Sequence, residues 1–227
     1  METVPYASAV GSLIYAQTCT CPNISFAVRM LGRFQSNPGF DHWIAAKKVM
    51  RYLQGTKNLM LTYKHSDQFE IVAYSDSDFM GCIDSMKSTS GYVFMLAGGA
   101  ISWKSAKQTI IASSTMEAEF IACHEATSQA IWLRNFIEGL QIMDSISRPI
   151  MVYCDNSAVV FFSKNNKCSS KSKHIELKFH VVRERIQQQK VSIEHINIDL
   201  MLVDPLMKAL APKKFQEHVS SMGLAIL

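Results

Sequence analysis

The spacing of apolar positions divides the chain into stretches of different period. After Pro22, the residues Ile24, Ala27, Val28, Leu31 and Phe34 recur at helical spacing. "SNPGF" breaks that pattern, and Asp41 is placed to cap a second helix with an apolar stripe of Trp43, Ala46, Met50 and Leu53. Gly55 lies just past its end. In "NLMLTYK" the period drops to two, with Leu59, Leu61 and Tyr63 alternating as in a half-buried strand. The polar "KHSDQF" closes this stretch, so residues 1–64 are expected to form a small, mainly helical segment.

Strand patterns follow. Phe69–Phe79, Gly91–Leu96 and Ala100–Trp103 are rich in β-branched and aromatic residues, and Gly98-Gly99 between the last two signals a tight turn. An antiparallel meander is predicted. A long helix is expected from about Ser114 to Leu140, with Ser113, Ser114 and Thr115 as caps and Glu117 in the first turn. "RPIMVYC" is an apolar strand running to Asp155. A short helix over Ser157–Ser163, an amphipathic one over Lys171–Gln189, a strand in "KVSIEHINI" and a helical tail from about Asp204 to Met222 complete the chain. The order βββ-α-β-α-α-β-α predicts an α/β fold, a mixed five-stranded sheet flanked by helices. The expected division is 1–64, a core over 69–200, and a C-terminal helical part over 201–227.

Composition narrows the class. Hydrophobic content of 48% with 19% charged residues excludes a disordered chain. No apolar run reaches the roughly 18 residues of a membrane span. Glu2 and the lack of a basic cluster near it argue against a signal peptide, which makes the cytoplasm the default location. Six cysteines are scattered without a CxxC pair, the pattern of free thiols in a reducing compartment and not of a zinc site.

The acids carry the chemistry. Asp76 and Asp155 are expected at strand ends. Glu119 shares a helical face with Cys123, Ala126, Ala130, Leu133 and Ile137, so it should point at the sheet. A buried, unpaired carboxylate is costly unless a cation compensates it. Glu117 falls on another stripe and suits a capping role. Asp204 precedes Pro205 and is a natural helix cap, just as Asp155 could cap the next helix and Asp76 could start a turn. Capping does not account for a sheet-facing Glu119 together with acids ending the first and fourth strands. If those strands are neighbours, the carboxylates converge into a hard-oxygen site of the kind that takes Mg²⁺ or Mn²⁺. Two such ions serve phosphodiester cleavage.

Several stretches resemble a known family. "YSDSDFMGCIDSMKSTSGYVFMLAGGAISWKSAKQTIIASSTMEAEFIACHEA", "YCDNSAVVFFSKN", "KHIELKFHVVRERI" and "DPLMKAL" are similar to the ribonuclease H region of the Pol polyprotein of copia-type LTR retrotransposons. "PYASAVGSLIYAQTCTCPNISFAVRMLGRF" and "AAKKVMRYLQGTKNLMLTYK" resemble the end of that family's reverse transcriptase. The resemblance implies a ribonuclease H-like fold and metal-dependent hydrolysis of the RNA strand of RNA–DNA hybrids with Mg²⁺ or Mn²⁺. It also implies the rest of a reverse transcriptase as a partner and a retrotransposon particle as a setting. Its acidic set falls on Asp76, Glu119, Asp155 and Asp204, with Asp78 and Glu117 as second choices. Cys21 and Asn23, Met86 and Met207 depart from the family pattern without removing a proposed ligand. No paired-aspartate YxDD motif is present, so no polymerase activity is expected from this chain.

Charge is uneven: residues 164–190 carry a local +6 against −2 for the remainder, which suggests an anionic partner on one face or a merely solvated helix. Lys171, His174, Lys178 and Arg185 share a face, with Lys173 beside them, and could lie along hybrid phosphates. His174 and His180 read more readily as structural than as catalytic. A catalytically silent nucleic-acid-binding relic of a decayed element is the alternative function.

Overall fold

The computed structural model describes residues 4–65, 70–82, 85–141, 148–165 and 173–226. The first helices are α1 (Tyr6–Cys19), α2 (Ser25–Gly32) and α3 (Phe40–Gly55). Tyr6, Val10, Leu13, Ile24, Val28, Leu31 and Ala46 form a buried cluster of their own between them. Asp41 is not the cap expected of it. Gly39 occupies that position, its N–H donating to His42 Nδ1 at 2.8 Å, while Asp41 sits in the first turn, where a negative charge suits the helix dipole. Strand β1 (Leu59–Leu61) follows.

Five further strands build the main sheet: β2 (Val72–Cys82), β3 (Lys87–Leu96), β4 (Gly99–Lys107), β5 (Ile150–Cys154) and β6 (Val191–His195). Their spatial order is β4-β3-β2-β5-β6, antiparallel across β4, β3 and β2 and parallel across β2, β5 and β6. This is the mixed five-stranded sheet that the pattern predicted.

β3 and β4 run longer than their apolar residues suggested, and β2 ends three residues later, at Cys82. Ser88, Thr89 and Ser90 are polar yet buried, because backbone pairing with neighbours on both sides extends the ladder through them. Asp76 is therefore the fifth residue of an 11-residue strand and not its end. The ladder is irregular between Asp78 and Cys82.

Alternation along β3 sorts the core. Tyr92 and Phe94 face the layer formed by α4 (Thr115–Gly139), α5 (Ser157–Lys164) and α6 (Lys173–Gln187). Val93 and Met95 face the layer formed by α7 (Asp204–Met207), α8 (Pro212–Ser221) and the segment before them. The tail is thus two helices instead of one, and a strand that the pattern did not show, β7 (Leu224–Ile226), follows it. β7 pairs antiparallel with β1, which ties the last strand to the segment that follows α3. Among the described residues, no helix is long and apolar enough to cross a membrane.

The helical segment also bonds directly to the sheet layer. Arg29 of α2 donates to Thr89 Oγ1 at 2.6 Å and to the Met207 carbonyl at 3.1 Å. Trp103 of β4 donates to the Gln17 carbonyl at 2.8 Å. Gly91 lets α7 approach the sheet, because a Cβ there would collide with Met207 and crowd Val203. Gly91 is also the register partner of Asp76.

Candidate active site

Four elements deliver one acid each. β2 and β5 are parallel neighbours with Tyr74 opposite Tyr153, so Asp76 and Asp155, each two residues further on, emerge side by side. Glu119 lies in the first turns of α4, and its helical face with Cys123, Ala126, Ala130 and Leu133 is buried as the periodicity predicted. Asp204 opens α7 and is 1% exposed.

The Glu119 and Asp155 carboxylates and the Cys154 thiol offer ligand atoms within 4.8 Å of one another. Asp76 and Glu119 share a side-chain hydrogen bond. Asp204 is joined to the group through Lys208, whose Nζ lies 2.9 Å from Asp204 Oδ1 and 3.8 Å from Asp76 Oδ2.

The electrostatics are those of crowded, desolvated acids. Burial pushes Asp76 up to about 7; Lys208 opposes that rise, and Asp155 and Asp204 add to it. Glu119 is pushed up to about 9, by burial first and then by the fields of Asp76 and Asp155. Asp155 is also raised, by burial ahead of its neighbours' charges. Glu119 Oε2 is buried with no hydrogen-bond partner. A cation would satisfy an orphaned buried oxygen amid carboxylates, and a donor set of carboxylate oxygens fits a hard divalent ion. Cys154 does not suit such an ion: burial raises its thiol well above the ordinary value, leaving it neutral.

Comparison with curated proteins gives 40% identity over 224 residues to the retrovirus-related Pol polyprotein from transposon TNT 1-94 of Nicotiana tabacum, covering 99% of this chain and 17% of that protein. The corresponding protein from transposon RE2 of Arabidopsis thaliana is 34% identical over 223 residues, covering 98% of this chain and 15% of that protein. The chain's homologues over nearly its whole length are copia-type Pol polyproteins from plant transposons. It spans a small part of the length of these relatives. No family model matches it. A solved structure of the foamy viral protease-reverse transcriptase in complex with RNA/DNA hybrid aligns over 91% of this chain and 26% of its own, at 14% identity and TM-score 0.55, a likeness of fold.

The second-choice acids, Glu117 and Asp78, have other partners. Glu117 Oε2 accepts from the Ser113 N–H at 2.8 Å and its hydroxyl at 2.6 Å, while Ser114 Oγ accepts from the Glu117 N–H. That is the capping role its stripe suggested. Asp78 lies against the backbone of Gly81, within the field of Arg29.

The expected phosphate-binding face is only partly in view. Lys171 lies outside the described residues, as do the side chains of Lys173 and His174. Ile175, Phe179 and Val182 are buried as predicted, with Ile186 packed against them. Lys178 is half-buried, its Nζ 3.5 Å from His124 Nδ1 on α4. Burial, with Lys178 adding to it, lowers His124 to about 4. Lys178 therefore packs against α4 instead of standing free. Arg185 donates to Gln188 Oε1 at 3.0 Å on the outer surface.

Three residues at the site were not singled out by sequence reasoning. Lys208 follows Asp204 by four positions in "DPLMK", a spacing that could have drawn attention to it. Cys154 precedes Asp155 directly. The His195 ring lies 3.1 Å from the Asp155 carbonyl, and only the pairing of β6 with β5 brings it there.

Proposed function

We propose that this chain is the ribonuclease H part of a retrotransposon Pol polyprotein, a metal-dependent endonuclease that hydrolyses the RNA strand of RNA–DNA hybrids. The observation that carries this reading is the approach of the buried Glu119 carboxylate to Asp155, with Asp76 hydrogen-bonded to Glu119 and Asp204 tied to Asp76 through Lys208. The homology to Pol polyproteins and the fold likeness support it. These four acids would hold the ions, Mg²⁺ or Mn²⁺, two in this reading. Bound there, such ions supply an activated water and offset the charge on the leaving oxygen.

The chain's own residues do the rest. The walls of β2, α4 and α7 keep Asp76, Glu119 and Asp204 dry, so a divalent ion bound there would hold them ionised and attract them more strongly than in water. Half-buried Asp155 forms the open side through which a phosphodiester can arrive. Affinity for a hybrid would come from lysine and arginine contacts to phosphates, and preference for RNA from 2′-hydroxyl contacts.

The test is incubation of the purified chain with a labelled hybrid and Mg²⁺ or Mn²⁺ beside Glu119→Gln. Cleavage is expected, with the variant slower by about 10²–10³-fold or more. Binding of the hybrid without cleavage by either protein would instead identify a catalytically silent nucleic-acid-binding module.

A further inference from the structure

Lys208 is the cation that the acid cluster already holds. Its backbone N–H donates to the Asp204 carbonyl at 3.0 Å, and the chain then leaves α7 in an extended conformation. The ammonium rests 2.9 Å from Asp204 Oδ1 and 3.8 Å from Asp76 Oδ2, and its field reaches Asp155. Asp204 Oδ1 has no other partner among the described residues. Lys208 forms its ion pairs with Asp204 and Asp76, while Glu119 lies beside Asp155 and Cys154. The cluster thus has a side neutralised by the protein and a side that is not.

The two partners differ in freedom. The Lys208 side chain is 40% exposed, against 7% for Asp76 and 1% for Asp204. The carboxylates are fixed in the core, while the ammonium sits on a flexible four-carbon stem with an open path to water. An ammonium offers one charge and no coordination bonds, so a divalent ion can displace it.

We propose that Lys208 is a built-in counter-ion of the carboxylate cluster, which a divalent cation must displace from Asp204 and Asp76. This rests on the metal reading above. Loading on that side is an exchange of cations, and the charge of Lys208 weakens metal affinity while keeping the empty site folded.

Calorimetric titration with Mn²⁺, and the Mn²⁺-induced rise in Tm, should be measured on the full chain and on Lys208→Gln, Lys208→Ala and Lys208→Arg. The two neutral variants should bind Mn²⁺ about tenfold more tightly, the scale on which one nearby charge shifts a carboxylate's equilibria. They should also melt lower than the unsubstituted chain in EDTA and gain more from the ion. Lys208→Arg should stay close to the unsubstituted chain. If the unsubstituted chain binds Mn²⁺ and neither neutral variant binds more tightly, or if Lys208→Arg tightens as much as they do, the counter-ion role is overturned. If no protein in the set binds Mn²⁺, the metal reading itself fails and this inference falls with it.

Discussion

At the scale of single residues, Glu119 and Asp76 set the pH behaviour of the metal-free protein. Their carboxyls are raised from ordinary values near 4 to about 9 and about 7. The folded state therefore keeps protons that the unfolded chain has already released, and stability falls as pH rises from about 4 through these values. Each carboxyl contributes a slope of at most about 1.4 kcal/mol per pH unit. Melting in EDTA at stepped pH should show Tm declining toward pH 9, with a shallower decline in Glu119→Gln and a recovery on adding Mg²⁺. The identity of these acids was legible in the sequence for a physical reason: Glu119 is the one polar residue on an otherwise apolar helical face. Lys208 was less legible, since a lysine after a short helix looks like solvent-facing charge until the fold places it over the acids.

At the scale of elements, the position of α7 decides where Asp204 and Lys208 stand. Two features seat it: Gly91 beneath Met207, and Arg29 of α2 bridging Thr89 and the Met207 carbonyl. Gly91→Ala should force Met207 and α7 outward. With Asp204 displaced by a fraction of an ångström or more, cleavage should drop by about 10²-fold, measurable by single-turnover assay. Arg29→Ala leaves a buried carbonyl without its donor and should cost about 2 kcal/mol of stability by urea denaturation. Lysine at that position should recover only part, because it lacks the fork that spans both acceptors. Such dependence is invisible to periodicity, which locates helices and faces but not the contacts between residues 178 positions apart. Elements with strong apolar repeats, such as α4 and β5, were predicted close to their observed bounds. The ends of β2, β3 and β4 were not, because pairing partners and not side chains extend them.

At the scale of the whole molecule, β7 clasps β1, and the Gly223 carbonyl accepts from Thr62 as well. Truncation after Gly223 should lower Tm by about 5 °C in a circular-dichroism melt. Nothing in "GLAIL" announces a strand, since three residues are too few to show a period. The sheet order has a further consequence for how the chain comes off a ribosome. β2 lies at the centre, yet one of its neighbours, β5, is made only after residue 150, and β6 later still. While the intervening helix is being translated, one flank of the central strand waits with its backbone amides unsatisfied. With parallel pairing deferred so far, that open flank is a template on which another newly made chain can pair until β5 arrives.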